Sequence, residues 1–560
     1  MDWNANWDEV VGLWQKPGPG HVASTKDLKI VHPGPEAASY LLCAARKNVL
    51  QEIDSERVLE TLHKMQWKEN DDMRGCIKWY FEEEKIGDSN AAFFTGLNLI
   101  ILRIRYYDLF TEKAKKLLDT ILAGLNIWFR NAAKNPEIFY PNKYLGDLVC
   151  KWLITEILGM EKEDEFLPDQ MRIAAKGWRE SSWGWGEHLS DIYGGVCLHE
   201  LSILLLLAKN LPEDIRQAYL GLASDLLAIE DGFDNGPRVP ALRCYSFTTP
   251  PKHTNYRDLI KADTEDTIPR STLELGDLLN KCSWHEKMPP RQKGKREFSI
   301  SCFNGSKANA FVEEDIRLGT MSRFPIMPTA EHANWGLAWQ SFPAVFSRGT
   351  QDWGFLQWET LEEGKLRAHP ANGGPMAHIP KALSDAVEPP LTGETFSIQH
   401  GGNALIVRVM RCIPKSWEAV TDRFRLIAPS GEAEEKSREN WHQLLLHYPQ
   451  RDVSVNFIPF TACKDPVLLR KEENILDWNH ALTDNPPPPY NHRILVHLWG
   501  ISLDGEIDAP PEITIIDDHC QVRAQGEQIR ELDWKWKNIH WHVNIDPLRG
   551  DILREIEDHT

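Results

Sequence analysis

Three stretches of this chain gather more polar and aromatic side chains than packing alone requires. The first is YPNKYLGDLV, 140–149, where Pro141 and Asn142 stand at the expected start of a helix. A helix N-terminus offers free backbone N–H groups and a positive dipole end, both suited to an anion. Asn142 would add an amide donor there and Lys143 a cation. The plainer alternative is that Asn142 is the helix cap, and on spacing alone that reading is the stronger. The second stretch is GWRESSWGWGEHLSDIYGG, 177–195, with Arg179, Trp183, Trp185, Glu187, His188, Asp191 and Tyr193 among five glycines. Titratable and aromatic groups at this density in a glycine-rich loop point to ligand contact. The third runs from 318 to 359 and holds His332, Asn334, Arg348 and Asp352; His369 and His400 follow. A lone histidine is more often structural, so here the local set carries the argument.

The bulk composition limits what these groups can act on. The chain has 560 residues, more than one hydrophobic core usually serves, with 42% hydrophobic and 26% charged residues. A formal charge of −19 argues against nucleic acid as a partner. It also opposes an acidic polysaccharide at long range, although salt screening leaves a local basic site able to hold one. No apolar run reaches the length of a membrane span. The N-terminal MDWNANWDEVVGLW lacks the basic region and apolar core of a secretory signal. A cytoplasmic protein is therefore expected, or a secreted one whose signal lies outside this sequence. The ten cysteines form no C-x-x-C pair and read as buried thiols. Twenty-two tryptophans are unusually many. Their flat apolar faces suit sugar rings, and the competing reading is that they fill a core.

The elements that must position these groups fall into two halves. From 36 to about 235 the apolar spacing is helical, with short Pro- and Gly-punctuated loops and no strict repeat, which favours a toroid of helix pairs over a solenoid. A crossover over 236–296 is expected to end in a helix near Arg270–Leu279. Beyond 297, short β-branched and aromatic runs between turn residues predict an antiparallel sandwich. The DNPPPPYNH segment reads as an exposed loop, and the tail 547–560 as a short charged helix or a frayed end. The expected fold is thus α+β and multidomain: an (α/α) toroid over 1–290, an antiparallel β-sandwich over 291–560, and a cleft between them that works on carbohydrate.

Asn142, Tyr193 and His332 occur in an order and at gaps that resemble the heparinase II/III-like polysaccharide lyases and the related alginate lyases. The phrases RLGTMSRFP and WGLAWQSFP also resemble that family's opening sandwich strands, and the likeness extends over about 80–520. It implies β-elimination at a uronic acid. Asn142, with Lys143 or Arg179, would neutralise the sugar carboxylate. Tyr193 would be the acid, serving also as a base, and His332 the second base. Trp183, Trp185, Glu187, His188, Arg348 and His369 would contact substrate. Two departures stand out: Lys143 and Asn334 occupy positions where the family carries histidine. The resemblance further implies a structural divalent metal, zinc or calcium, on Asn334, Asp352 and His400, a weaker zinc set than one with two histidines. The chemistry itself needs no cofactor. The expected partner is an acidic oligo- or polysaccharide, with no nucleic acid, no membrane, and a homodimer allowed for. Two alternatives remain: a glycoside hydrolase using Glu187 and Asp191, with Asp147 as a third carboxyl, or a non-catalytic carbohydrate-binding relative.

Overall fold

The computed structural model describes residues 5–240, 294–322, 344–366, 392–515 and 530–558, apart from short stretches inside them. The chain divides into two compact units. One holds Met1–Gly184 and Ile192–Asp231; the other holds Trp185–Asp191 together with the chain from Gly232 to His253 and from Gln292 to Thr560.

The first unit is helical, and eight α-helices lie among its described residues and at its end. They are α1 (Gly34–Arg46), α2 (Ser55–Met65), α3 (Ala91–Arg105), α4 (Glu112–Lys134), α5 (Pro141–Leu158), α6 (Leu167–Glu180), α7 (Tyr193–Leu207) and α8 (Glu213–Gly232). They sort into two rows. In one, α1 packs on α3, α3 on α5 and α5 on α7; in the other, α2 packs on α4 and α4 on α6. This is the two-layered arrangement of a helical toroid. α7 is apolar almost throughout and buried along most of its length, as a helix surrounded by protein must be. Short antiparallel strands precede α1: Trp7–Asp8 with Leu13–Trp14, and Lys16–Pro17 with Ile30–Val31.

Capping departs from the sequence reading at two places. Ser55, which the sequence offers as the cap of α2, is its first helical residue, and Asp54 caps it, its carboxylate accepting from the Arg57 amide at 3.0 Å. α5 starts at Pro141, whose missing N–H costs nothing in a first turn. The cap position is Tyr140, so Asn142 lies inside the helix and is not its cap.

α5 also carries a polar row, the charged Lys143, Asp147 and Lys151 followed by Thr155, four residues apart and so on one face. Such a row normally faces water, but this one is buried because α3, α4, α6 and α7 surround the helix. Lys151 is wholly buried, and its ammonium bonds Asp164 and the Asn126 amide oxygen. Arg130 and Thr155 also donate to Asp164, at 2.7 and 2.9 Å. Burial pulls the Lys151 ammonium below its ordinary range. Burial pushes Asp164 the other way, but its three donors outweigh that and hold it below the usual carboxylate range.

The second unit is built of antiparallel sheets. One has eight strands in the order Val467–Glu472, Ile475–Ala481, Ala419–Ile427, Asp352–Glu359, Ala344–Arg348, Ile316–Met321, Lys307–Val312, Arg296–Ser301. A second has six, in the order Thr392–His400, Asn403–Pro414, His492–Ser502, Asp452–Pro459, Trp441–His447, Glu432–Arg438. Phe311, Leu318, Phe346 and Phe424 of the first meet Ile406, Leu444, Val455 and Trp499 of the second in one core. That is the expected sandwich, with a third layer added. Four strands (Glu512–Ile515, Arg530–Trp536, Ile539–Asp546 and Asp551–Asp558) form a sheet whose Leu532, Trp534, Trp541 and Val543 pack on Leu405, Val407 and Leu498. The six-stranded sheet is therefore buried on both faces. Its strands read ALIV and LVHLWGI because every position, rather than alternate ones, needs an apolar group.

The tail expectation is corrected accordingly: Asp551–Asp558 is a strand in register with Ile539–Asp546. Trp178, Trp353, Trp441, Trp499, Trp534, Trp536 and Trp541 are fully buried, so packing accounts for these seven. The expected helix near Arg270–Leu279 and most of the DNPPPPYNH segment lie outside the described residues. Among those described, no helix is long and apolar enough to cross a membrane.

Replacing Lys151 by Met leaves Asp164 to Arg130 and Thr155 alone and the Asn126 amide oxygen without its donor, and should lower the unfolding free energy by about 1–3 kcal/mol. Denaturant unfolding followed by far-ultraviolet circular dichroism checks this. A loss below about 1 kcal/mol would mean the pair is dispensable.

Candidate functional site

In the helical unit, side chains from several helices meet around the first turns of α5. Asn90 at the start of α3 donates to the Tyr140 hydroxyl at 3.1 Å. One turn on, a Cβ placed at Gly146 would lie 2.7 Å from the Phe93 ring and 2.8 Å from the Glu200 carboxylate. Only glycine permits this approach, and it brings α5 against both α3 and α7. The contacts 90 with 140, 93 with 146 and 93 with 150 advance together, so α3 and α5 run parallel. Their N-termini therefore lie at one end, where their dipoles reinforce each other.

Asn142 occupies the first turn of α5 and is fully buried. Lys143 follows it, and its ammonium bonds Asp147 at 2.7 Å and lies 3.2 Å from a Glu137 oxygen. The Trp128 ring lies 5.7 Å away. Burial alone would lower the Lys143 ammonium, but the two carboxylates outweigh it and hold the group above its ordinary range. Lys143 thus stays charged, yet with two carboxylates about it the cluster has no surplus positive charge. Burial raises the Asp147 carboxyl against the pull of Lys143. Tyr193 is the first residue of α7, the neighbour of α5, and is nearly buried.

The glycine-rich loop separates rather than gathers its groups. Arg179 is exposed, and its guanidinium lies against Gly221 of α8; burial raises the nearby Asp225 carboxyl, and Arg179 only partly offsets this. Trp183 adopts a left-handed φ of 63° and stacks on Trp178 at 6.2 Å, inside the helical core. Trp183, expected to contact substrate, thus packs one face of its ring against protein. Glu187 and His188 belong to the strand-rich unit and are buried. His188 Nε2 donates to the Ser301 carbonyl at 3.0 Å, which fixes Nδ1 as the bare nitrogen. Arg238, also buried, donates to the His188 and Ser190 carbonyls at 3.0 and 2.9 Å and so fastens the turn. Burial pulls the His188 imidazole down to about 4.

Arg348 donates to Ser430 at 2.9 Å and lies over the Tyr448 ring at 4.8 Å. Asp352 accepts from the Ser430 amide and hydroxyl, at 3.2 and 2.6 Å, and from the Tyr448 hydroxyl at 3.3 Å. Both of its oxygens are thereby engaged, which does not suit a metal ligand. His400 ends the strand Thr392–His400 of the other sheet. Among the described residues, no three His, Cys, Asp or Glu are grouped to hold a metal ion. Trp185, Asp191, His332, Asn334 and His369 lie outside the described residues.

Sequence reasoning missed Glu137, Trp128 and Arg238. The Lys143–Asp147 spacing was visible as an i,i+4 pair, but Glu137 and Arg238 sit in segments without periodicity, where nothing announces a partner.

No family model matches this chain, and no curated protein matches it. Among solved structures, it is similar to heparinase III, with 8% identity, a TM-score of 0.47, and coverage of 94% of this chain and 82% of that one. It is also similar to a heparinase III described as the BT4657 gene product, with 10% identity, a TM-score of 0.33, and coverage of 93% and 84%. At these values neither likeness assigns a role to any residue here.

His188 supplies a pH test. Its folded value of about 4 lies below the ordinary 6.5, so between these pH values the unfolded chain binds more protons. Stability therefore falls as the pH drops from about 6.5 to 4, at up to about 1.4 kcal/mol per unit from this group. Replacing His188 by Gln removes that component. The difference in unfolding free energy between the two proteins should change across this window and stay constant above pH 7. A flat difference throughout would show that His188 is not buried neutral.

Proposed function

We propose that this chain is a lyase that cleaves a uronic-acid-containing oligo- or polysaccharide by β-elimination. One observation carries the reading: a fully buried Asn142 in the first turn of α5, at the end where α5 and α3 both begin. Helix N-termini favour carboxylate, and the Asn142 amide adds a donor without adding a competing charge. Tyr193, which opens the adjacent α7, supports the reading as a phenol on the helix that packs along α5.

In this account Asn142 and the α5 N-terminus take the uronate carboxylate, which makes the C5 proton more acidic. Lys143 contributes by staying protonated and by fixing the first turn through Glu137 and Asp147. His332 or Tyr193 removes the C5 proton. The C4–O bond then breaks, a C4–C5 double bond forms, and Tyr193 protonates the departing oxygen. A phenol holds its proton at neutral pH, which suits the acid role. No step needs a metal.

The reaction announces itself as ultraviolet absorbance from the new double bond. Uronate glycans such as glucuronan, alginate, heparin and chondroitin-type chains should be screened by absorbance and by reducing ends together. Tyr193→Phe should lower kcat by roughly 10²-fold or more, the scale of one acid–base group. Asn142→Ala should lower kcat by a similar factor, because it removes a contact that strengthens as charge moves onto the carboxylate. New reducing ends without absorbance would replace this reading with hydrolysis.

A further inference from the structure

Asn90 stands at the N-cap of α3, a position where an asparagine normally accepts from the first amides of its own helix. It makes no such bond. Its side-chain amide reaches instead to the Tyr140 hydroxyl, 50 residues on, and Tyr140 is the N-cap of α5. Tyr140 makes no capping bond either. The first turn of α5 therefore takes a restraint from the start of α3 in place of a side-chain cap of its own.

That restraint continues outward. Asp88 Oδ1 accepts from the Asn90 backbone N–H at 2.9 Å, and Asp88 Oδ2 accepts from His21 Nε2 at 3.0 Å. An ionised carboxylate only accepts, so Nε2 carries the proton. Nδ1 of the same ring lies 2.9 Å from the hydroxyl of the buried Tyr80. His21 belongs to the loop that joins the paired strands Lys16–Pro17 and Ile30–Val31, and its side chain is 48% exposed. Val22 and Val31 pack with Tyr80 in a small core of their own, separate from that of the helices. Three hydrogen bonds thus run from a surface histidine to the residue that opens α5, two positions ahead of Asn142. Hydrogen-bonded chains between rigid helix ends are one carrier of coupling between separated groups.

We infer that His21, Asp88 and Asn90 are positioning residues for the Asn142 turn, so that the loop over 18–29 governs how well the start of α5 holds a carboxylate. The link to a carboxylate rests on the lyase reading; the restraint on α5 does not. His21 has a competing role, which is to hold its own loop down through Tyr80. The two roles use different ring nitrogens and so can be separated. Glutamine places its amide nitrogen near the Nε2 position of histidine, and asparagine places its own near Nδ1. His21→Gln therefore keeps the bond to Asp88, whereas His21→Asn keeps only the contact with Tyr80.

Two measurements test this on the full chain in the Tyr193→Phe background, where turnover plays no part. Hydrogen exchange at the Tyr144 and Leu145 amides reports the first turn of α5, since the Tyr144 N–H bonds the Tyr140 carbonyl at 3.1 Å. Isothermal titration compares diglucuronate with cellobiose, which has the same β-1,4 skeleton without the carboxylates. His21→Ala and Asn90→Ala should each speed exchange at these amides. Each should also weaken diglucuronate binding about three- to tenfold, within the range of couplings carried by such networks, and leave cellobiose unaffected. The double variant should lose no more than the larger single loss, because both changes break one chain. His21→Gln should restore exchange and affinity, and His21→Asn should restore neither. Unchanged exchange in His21→Ala overturns the inference, as does restoration by Asn in place of Gln. Altered exchange with rescue by Gln, in a protein that binds and cleaves no uronate, would leave the network standing and remove the lyase reading. Uronate elimination by the parent chain, with exchange and affinity indifferent to His21, would do the reverse.

Discussion

Two lysines, Lys151 buried and Lys143 part-buried, lie on one face of α5, and much of the helical unit is arranged to satisfy them. An unpaired ammonium in such a place would give up its proton or unfold the helix around it. Lys151 is answered by Asp164 and Asn126, which draws in α4 and the turn ahead of α6. Lys143 is answered by Asp147 and Glu137, which fixes the turn ahead of α5. The Ile138 carbonyl in that turn accepts from the Trp178 indole at 2.7 Å, tying it to α6 as well. Asn142 sits where these restraints converge. Its position is set by ion pairs and helix packing rather than by a cap, and the proposed contact with a carboxylate depends on that rigidity.

The strand-rich unit answers a different constraint. A sheet buried on both faces must be covered twice, and the four-stranded layer supplies the second cover. Trp536 and Trp541 stack at 4.7 Å within that layer, and the Trp534 and Trp536 indoles donate to Ala509 and Asn403. Large rings with one satisfied donor suit a wide gap between sheets. The same unit holds Glu187 and His188, fastened by Arg238, and the segment after α8, where Arg317 donates to the Phe233 and Pro237 carbonyls at 2.6 and 2.9 Å.

Much of this architecture could be read from the chain. Apolar spacing marked the stretch from 36 to about 235 as helical, because a core-facing stripe is a strong local signal. The sandwich strands were legible for the same reason. The third layer was not, since runs such as ALIV in 404–407 look alike whether one face is covered or two. The site was harder. Lys143 looked like a free cation because its answering Glu137 comes from an aperiodic turn. Trp183 looked like a sugar platform because nothing local says that its ring turns inward onto Trp178.

The proposed elimination depends on where a uronate carboxylate binds. A crystal structure of the Tyr193→Phe protein with a uronate disaccharide measures this directly. The carboxylate should lie within hydrogen-bond distance, about 2.7–3.2 Å, of the Asn142 amide and the first-turn N–H groups of α5. A well-ordered disaccharide bound with its carboxylate away from Asn142 would contradict it.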